Sequence, residues 1–140
     1  MVSVEAFDLD DRGVEGAAVA IDGIHVDILR GVEGLARIRE EWRALHAEAA
    51  LPEQVFLSEP WISLWCDHYL AGEDDKLIIV TCRKDGRLEL VWPLAEVRRL
   101  GLKLLKWAGE PVSQYGDVLV RQTQHTPQLL EAAWQGILAL

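Results

Sequence analysis

The residues best suited to contacting a ligand lie in the segment Ser113-Gln114-Tyr115-Gly116-Asp117, which places polar groups and an aromatic ring directly before a short apolar run. Ligand contacts on α/β proteins often come from such positions at the start of a strand. We therefore predict that Tyr115 and Asp117 bind a substrate. The alternative is a turn in which Asp117 accepts hydrogen bonds from nearby backbone amides.

Two tryptophans, Trp92 and Trp107, lie beside residues that disturb a sheet, Pro93 and Gly109. Proline cannot donate to a strand ladder, so Pro93 predicts an edge, a bulge or a divergence of strands. A groove at that place could be lined by one of the two indoles, and we predict substrate contact for Trp92. Burial is the alternative, and it is the role we expect for three tryptophans at core-type positions on helices, Trp42, Trp61 and Trp65.

The sequence gives no support to metal or thiol chemistry, and we predict no metal site. The histidines lie on separate predicted elements without the spacing of metal ligands: His25, His46, His68 and His125. Cys66 and Cys82 do not form a CxxC pair, so we expect free buried thiols and neither a disulfide nor a zinc site. The nucleotide-binding patterns GxxxxGK[ST] and GxGxxG are also absent from the sequence.

The formal net charge of -9 disfavours binding of nucleic acid by the molecule as a whole, because phosphate backbones are repelled. The charge is unevenly placed. Residues 1–22 hold six acidic side chains against one arginine, and residues 83–106 hold seven basic side chains against three acidic ones. The basic segment is either a solvated hairpin face or an anion-binding face, and it is the place where a phosphorylated ligand would be attracted.

Apolar periodicity and turn residues predict a mixed α/β fold. Steps of three and four from Gly31 to Ala50 indicate an amphipathic helix, and Ser58-Glu59-Pro60 is typical of a capped helix start. Asp85-Gly86 indicates a hairpin between two strands. The predicted order is a strand at 24–29, helices at 31–50 and 59–70, strands at 77–80, 88–94, 102–107 and 118–120, and a last helix with Leu129, Leu130, Ala133, Trp134, Ile137 and Leu138 on its apolar face.

We divide the chain into a poorly structured acidic leader, residues 1–23, and one domain, residues 24–140. The last helix runs into Leu140 without a charged tail, which fits either a piece of a longer protein or a natural short C-terminus. No run approaches the roughly 18 apolar residues that span a bilayer, and the acidic start differs from a signal peptide. We therefore expect no membrane span and a cytoplasmic location.

Several short motifs follow one another in an order that resembles a known family. They are the strand 24–29, Glu41-Trp42-Arg43-Ala44-Leu45, Phe56-Leu57-Ser58-Glu59-Pro60-Trp61-Ile62 with Trp65, the strand 77–80, Val91-Trp92-Pro93-Leu94 and Tyr115-Gly116-Asp117-Val118-Leu119. Together they resemble the N-terminal half of the cellulose-biosynthesis-type (CelD/BcsL-like) acetyltransferases of the GNAT superfamily. The resemblance runs from about Ile24 to Leu140 and depends on the order and spacing of the motifs.

The resemblance implies a GNAT-like fold, with a central, mostly antiparallel sheet flanked by helices, as a complete or an incomplete lobe. It also implies an acyltransferase that uses acetyl-CoA or another acyl-CoA and acts on an amine or hydroxyl of a polysaccharide precursor. In the superfamily, backbone amides of a glycine-containing loop before a helix hold the pyrophosphate of the cofactor. The corresponding segment, 121–127, has no glycine, so we expect this chain alone neither to bind acyl-CoA nor to be active. Arg121 is the candidate for a residual cofactor contact.

These expectations combine into a leading hypothesis and an alternative. The leading hypothesis is an acceptor-side or degenerate lobe of an acyltransferase of the polysaccharide or cell-envelope precursor type. Its small-molecule or sugar-precursor acceptor would contact Trp92, Tyr115 and Asp117, and a second GNAT-like lobe would complete the enzyme. The alternative is a noncatalytic binding or dimerisation module, in which an exposed apolar helix pairs with a partner or with a second copy of the chain.

Overall fold

A seven-stranded antiparallel sheet forms the centre of the computed structural model, with helices on both of its faces. This confirms the mixed α/β class and the antiparallel sheet flanked by helices. The structure describes residues 3–5, 18–70, 76–113 and 116–140, and side chains from residue 22 onward. Along the sheet the strand order is β1-β2-β3-β4-β5-β6, and β7 also pairs with β5.

The strands are β1 Ser3–Glu5, β2 Ala18–Ile21, β3 Ile24–Arg30, β4 Lys76–Lys84, β5 Arg87–Arg99, β6 Leu102–Trp107 and β7 Leu119–Val120. The helices are α1 Gly31–Ala49, a 3₁₀ helix Pro52–Leu57, α2 Glu59–Tyr69 and α3 Thr126–Leu138. Each helix and strand predicted from Ile24 onward is present. The two central strands, β4 and β5, are several residues longer than their apolar patterns indicated.

The leader is the part of the chain where the expectation and the structure differ most. We assigned no regular structure to residues 1–23, whereas β1 and β2 extend the sheet beyond β3. The physical reason is the two-residue turn Asp22-Gly23, whose φ angles of 49° and 77° fit a hairpin that pairs Ile21 with Ile24. Asp85-Gly86 forms the same kind of turn between β4 and β5, with φ angles of 52° and 78°.

The two faces of the sheet are covered by different helices. On the first, which we call the α1 face, α1, α2 and the 3₁₀ helix pack over side chains that include Leu29, Ile79 and Val91. The opposite surface, the α3 face, is covered by α3 and includes Val26 and Ile78. Because β4 is covered on both sides, its continuous apolar run is buried, as predicted.

Buried polar contacts fix α1 against the segment that follows it. The Trp42 indole N–H donates to the Leu57 carbonyl at 2.8 Å. Glu59, in the first turn of α2, is almost completely buried and accepts hydrogen bonds from Arg39, Arg43 and Ser63 at 3.0, 2.8 and 2.7 Å. These bonds hold α2 at a defined position on the α1 face.

One edge of β5 has an interrupted partner. On one side β5 pairs with β4 along its length, with a register shift between Cys82 and Arg83. On the other side it pairs with β7 at Leu90 and Val91 and with β6 from Leu94 onward. Trp92 and Pro93 lie at the interruption, where the Pro93 carbonyl accepts from Ala108 N at 3.3 Å. The amide hydrogen that proline lacks would point to the same edge as its carbonyl. Of the edge, bulge or divergence that Pro93 predicted, the structure shows an edge along which the partner strand changes from β7 to β6.

Candidate functional site

The predicted site residues lie on different parts of the fold. Trp92 is on the α3 face, and Arg121, just after β7, contacts the C-terminal end of α1. Asp117 belongs to the segment that joins β6 to β7, residues 108–118, which we call the β6–β7 loop. Tyr115 lies outside the described residues. The structure thus does not gather Trp92, Asp117 and Arg121 into one cluster.

Asp117 is held by hydrogen bonds within the protein. Its Oδ2 accepts from Gln54 Nε2 at 2.7 Å and its Oδ1 accepts from Val118 N at 2.8 Å. Gln54 is buried, and its Oε1 accepts from Leu51 N at 2.9 Å, so the amide is fixed in one orientation. Both carboxylate oxygens are engaged, as the turn alternative predicts, and Asp117 attaches the β6–β7 loop to the 3₁₀ helix.

Arg121 is also engaged within the protein. Its Nε lies 2.8 Å from Glu89 Oε2, and its Nη1 donates to Glu48 Oε2 at 2.7 Å. The hydrogen bond from Arg121 lowers the pKa of the Glu48 carboxyl, so this carboxylate remains charged beside the guanidinium at neutral pH. The positive charge of Arg121, which we expected to contact a phosphate, is therefore already paired with two carboxylates.

The turn before α3 is closed by its own side chains. Thr123 N donates to Thr126 Oγ1 at 2.8 Å, and His125 N donates to Thr123 Oγ1 at 3.1 Å. A phosphate bound at a helix start needs free amides that the ligand can approach closely. These two amides are occupied within the turn and are therefore not available to a phosphate.

Three indoles form a stack on the α3 face, and we call it the indole stack. The ring centroids of Trp92 and Trp107 are 5.6 Å apart, and those of Trp92 and Trp134 are 6.5 Å apart. Trp92 and Trp107 are partly buried, whereas Trp134 on α3 is 47% exposed. Gly116 packs against the Trp107 ring so closely that a Cβ at this position would collide with it.

The indole stack borders a part of the α3 face that helix α3 does not cover. Helix α3 packs across β2, β3, β4 and β5, and on β6 the side chains of Leu105 and Trp107 remain partly exposed. Trp92 lies where β6 and β7 separate along β5. Among the described residues, the stack is therefore partly exposed on the β6 side. From the sequence we expected a groove near Trp92 or Trp107, but we did not identify Trp134 as a third indole of this surface.

A second aromatic surface lies on the α1 face, over α2. It is a cavity of about 160 Å³ lined by Trp61, Leu64, Trp65, His68, Tyr69 and Val112. Trp61 Nε1 donates to Ser113 Oγ at 3.0 Å, so the β6–β7 loop forms one wall. We expected both tryptophans in the core: Trp65 is buried there, at 3% exposure, whereas Trp61 is partly exposed. The spacing of Trp61, Trp65 and Tyr69 at i, i+4 and i+8 was the signal that one helix face is aromatic.

The two thiols are buried and free, as predicted. Burial raises the pKa of Cys66 and of Cys82 to about 12 in each case. At neutral pH both therefore remain protonated thiols, and a thiolate is the form that acts as a nucleophile.

The described residues show neither a metal-binding cluster nor a helix suited to crossing a membrane. No group of three or more histidine, cysteine or acidic side chains there is placed to hold a metal ion. None of the helices described combines the length and the apolar character that crossing a membrane requires. Comparison with known proteins gave no match to a family model, to a curated protein or to a solved structure.

Proposed function

We propose that the chain is the acceptor-side lobe of an acyl-CoA-dependent acyltransferase of the polysaccharide or cell-envelope precursor type. The observation that carries the proposal is the indole stack beside the interrupted edge of β5, which offers a partly exposed aromatic surface for a sugar ring. The order of the sequence motifs supports the acyltransferase assignment, and the antiparallel sheet with helices on both faces is compatible with it.

A sugar ring suits this surface for a physical reason. One side of a pyranose presents C–H groups that pack against the face of an indole, while its hydroxyl groups point outward to polar partners. Sites for small molecules typically combine such an aromatic surface with a few polar groups that orient the ligand. Trp134 supplies the most exposed ring of the stack, and Trp107 and Leu105 continue the surface along β6.

We assign the chain the acceptor side alone, because the described carboxyl and thiol groups whose pKa is clearly shifted are not suited to the transfer step. Transfer requires the acceptor amine or hydroxyl to attack the thioester carbonyl and lose its proton to a base, and the CoA thiolate then leaves. A base of this kind works best with a pKa near the working pH. Arginine partners instead lower the pKa of two carboxyls, Glu41 and Glu48, and the thiols are held protonated.

A second lobe would therefore supply the cofactor seat and the base. In this arrangement the lobe described here holds the sugar so that its reactive group faces the thioester. Positioning of this kind can account for a large part of a rate enhancement, because it removes the entropic cost of bringing two reactants together.

Sugar titrations monitored by calorimetry and by tryptophan fluorescence test the proposal. Trp134→Ala should weaken binding of glucosamine or cellobiose at least fivefold, because the exposed ring of the stack is lost. Tyr69→Ala is the matched control, since this ring is 51% exposed and lies on the opposite face. Absence of sugar binding, or equal losses in both variants, would refute the proposal. Acetyl transfer by residues 1–140 alone would contradict the division between lobes.

One observation favours the noncatalytic module as a second candidate. Helix α3 carries an exposed apolar stripe with i, i+4 and i+8 spacing, formed by Leu130, Trp134 and Leu138, which are 37%, 47% and 61% exposed. Such a stripe can pair with another helix. A homodimer in sedimentation experiments that dissociates with Leu138→Ser and does not respond to sugars or acyl-CoA would favour this candidate.

A further inference from the structure

Four basic side chains meet at one end of the sheet, on the α3 face. They come from four neighbouring strands, and antiparallel pairing brings the end of β3 and β5 together with the start of β4 and β6. Alternation along each strand places all four on the face that also bears the indole stack. We call them the cationic rim: Arg30, Lys76, Arg98 and Lys103.

Among the described residues, Glu96 is the carboxylate that forms ion pairs with the rim. Glu96, only 7% exposed, lies 3.1 Å from Lys103 Nζ and 3.9 Å from Arg30 Nη1. Glu33 and Asp67 line one pocket with Lys76, so the excess of positive charge among the described residues lies at Arg30, Arg98 and Lys103, in a chain whose net charge is -9. Arg98 and Lys103 are exposed and directly opposite each other in the register. Like charges in that arrangement repel, and an anion between them would remove the repulsion.

The rim and the indole stack belong to one continuous surface. Trp107 and Lys103 lie on the same face of β6, four residues apart, which corresponds to about 13 Å along the strand. Leu105 lies between them and is partly buried. The flexible side chains of Lys103 and Arg98 can shorten that distance by several ångströms, so a ligand with one ring and one attached anionic group can reach both.

We propose that this surface binds an anionic sugar, with the ring on the indole stack and a phosphate or carboxylate on the cationic rim. The inference rests on the proposed function and names the class of acceptor, a sugar precursor that carries a negative charge. A single-stranded nucleic acid also combines rings with phosphates. The anionic sugar is favoured because each further phosphate of a polymer would meet a protein of strongly negative net charge.

Calorimetry with the full chain tests the inference, with glucose 1-phosphate, glucuronate, neutral glucose and inorganic phosphate as probes. The charged sugars should bind at least fivefold more tightly than glucose and phosphate. Arg98→Gln and Lys103→Gln should each weaken charged-sugar binding about threefold, and the double variant about tenfold. Lys106→Gln is the matched control, since Lys106 lies on the same strand but on the α1 face, and it should leave the affinity unchanged. Raising the salt concentration should reduce the affinity and the difference between variants.

The outcomes separate the inference from the proposed function. If neutral glucose binds as tightly as the charged sugars and depends on Trp134, the inference is wrong and the proposed function stands. If no sugar binds, both are wrong. Phosphate alone binding as tightly as glucose 1-phosphate would show that the ring contributes nothing and would overturn the inference. A single-stranded oligonucleotide that binds more tightly than the sugars, and loses binding with Arg98→Gln, would also overturn it.

Discussion

Replacing Asp117 by alanine should destabilise the fold, because the carboxylate joins the β6–β7 loop to the 3₁₀ helix. Two hydrogen bonds would be lost, from Gln54 Nε2 at 2.7 Å and from Val118 N at 2.8 Å. Hydrogen bonds to a charged acceptor contribute about 1.5–3 kcal/mol each when buried, and about 1 kcal/mol each is the appropriate value at this partly exposed site. Gln54 is only 8% exposed and would lose its main acceptor. We therefore expect Asp117→Ala to lower the free energy of unfolding by about 2–3 kcal/mol.

Asparagine at the same position provides an internal calibration. Its side chain keeps one oxygen acceptor and replaces the other with an NH₂ group, which would face a donor. Rotating the Gln54 amide does not help, since its Oε1 already accepts from Leu51 N at 2.9 Å. Asp117→Asn should therefore keep one of the two hydrogen bonds. Its free energy of unfolding should fall by about 1 kcal/mol, roughly half the decrease expected for Asp117→Ala.

Urea denaturation monitored by circular dichroism measures both losses, and thermal melts should show a decrease of roughly 6–10 °C for the alanine variant. Because Gln54 and Asp117 bond directly to each other, the double variant Gln54→Ala with Asp117→Ala should lose less stability than the sum of the losses in the two single variants. An alanine variant within 0.5 kcal/mol of the unmodified chain, together with a clear drop in sugar affinity, would refute the structural role. It would support the ligand contact that we first predicted for Asp117.

Three further predictions concern other contacts. Gly116→Ala should lower stability by about 1–3 kcal/mol and alter tryptophan fluorescence, because its Cβ would displace the Trp107 ring. Burial raises the pKa of Glu59, but bonds from Ser63, Arg43 and Arg39 outweigh that effect and lower it. Glu59→Gln should thus lower the free energy of unfolding by about 1–3 kcal/mol at pH 7. In urea denaturation, the difference in stability between the two proteins should become smaller as the pH falls below 4.5, the ordinary pKa of the carboxyl, and through its lowered value in the folded protein. Because burial raises both thiol pKa values to about 12, Cys66 and Cys82 should react with Ellman's reagent only after unfolding, and rapid reaction in the folded state would contradict this.

Local sequence signals were sufficient for most of the fold. Ser58 accepts a hydrogen bond from Trp61 N at 3.4 Å, with Pro60 in the first turn, as the motif at the start of α2 predicted. Asp85-Gly86 likewise predicted the hairpin turn between β4 and β5. Asp22-Gly23 carries an equal turn signal, but the short strand Ala18–Ile21 is apolar throughout and lacks the alternation with polar residues that indicates a strand. Its pairing is decided by the free edge of β3, which local propensity does not reveal.

The candidate site was harder to predict because its contacts join distant parts of the chain. Gln54 and Asp117 are 63 residues apart, and Arg121 is 73 residues from Glu48. A single sequence gives each side chain but not its partner. Helix α3 shows a further limit, since it is apolar on most of its circumference. The expected apolar face included both Leu129 and Trp134, whereas the first is buried and the second is 47% exposed.

The β6–β7 loop makes contacts on both faces of the sheet. Ser113 contacts Trp61 on the α1 face, and Gly116 packs on Trp107 on the α3 face. Asp117 fixes the same loop to the 3₁₀ helix. The position of the Trp107 ring therefore depends on contacts made on the opposite side of the sheet. Since a ring displaced by about 1 Å loses much of its packing with a bound sugar, the residues that hold this loop are as important for the proposed site as the indoles.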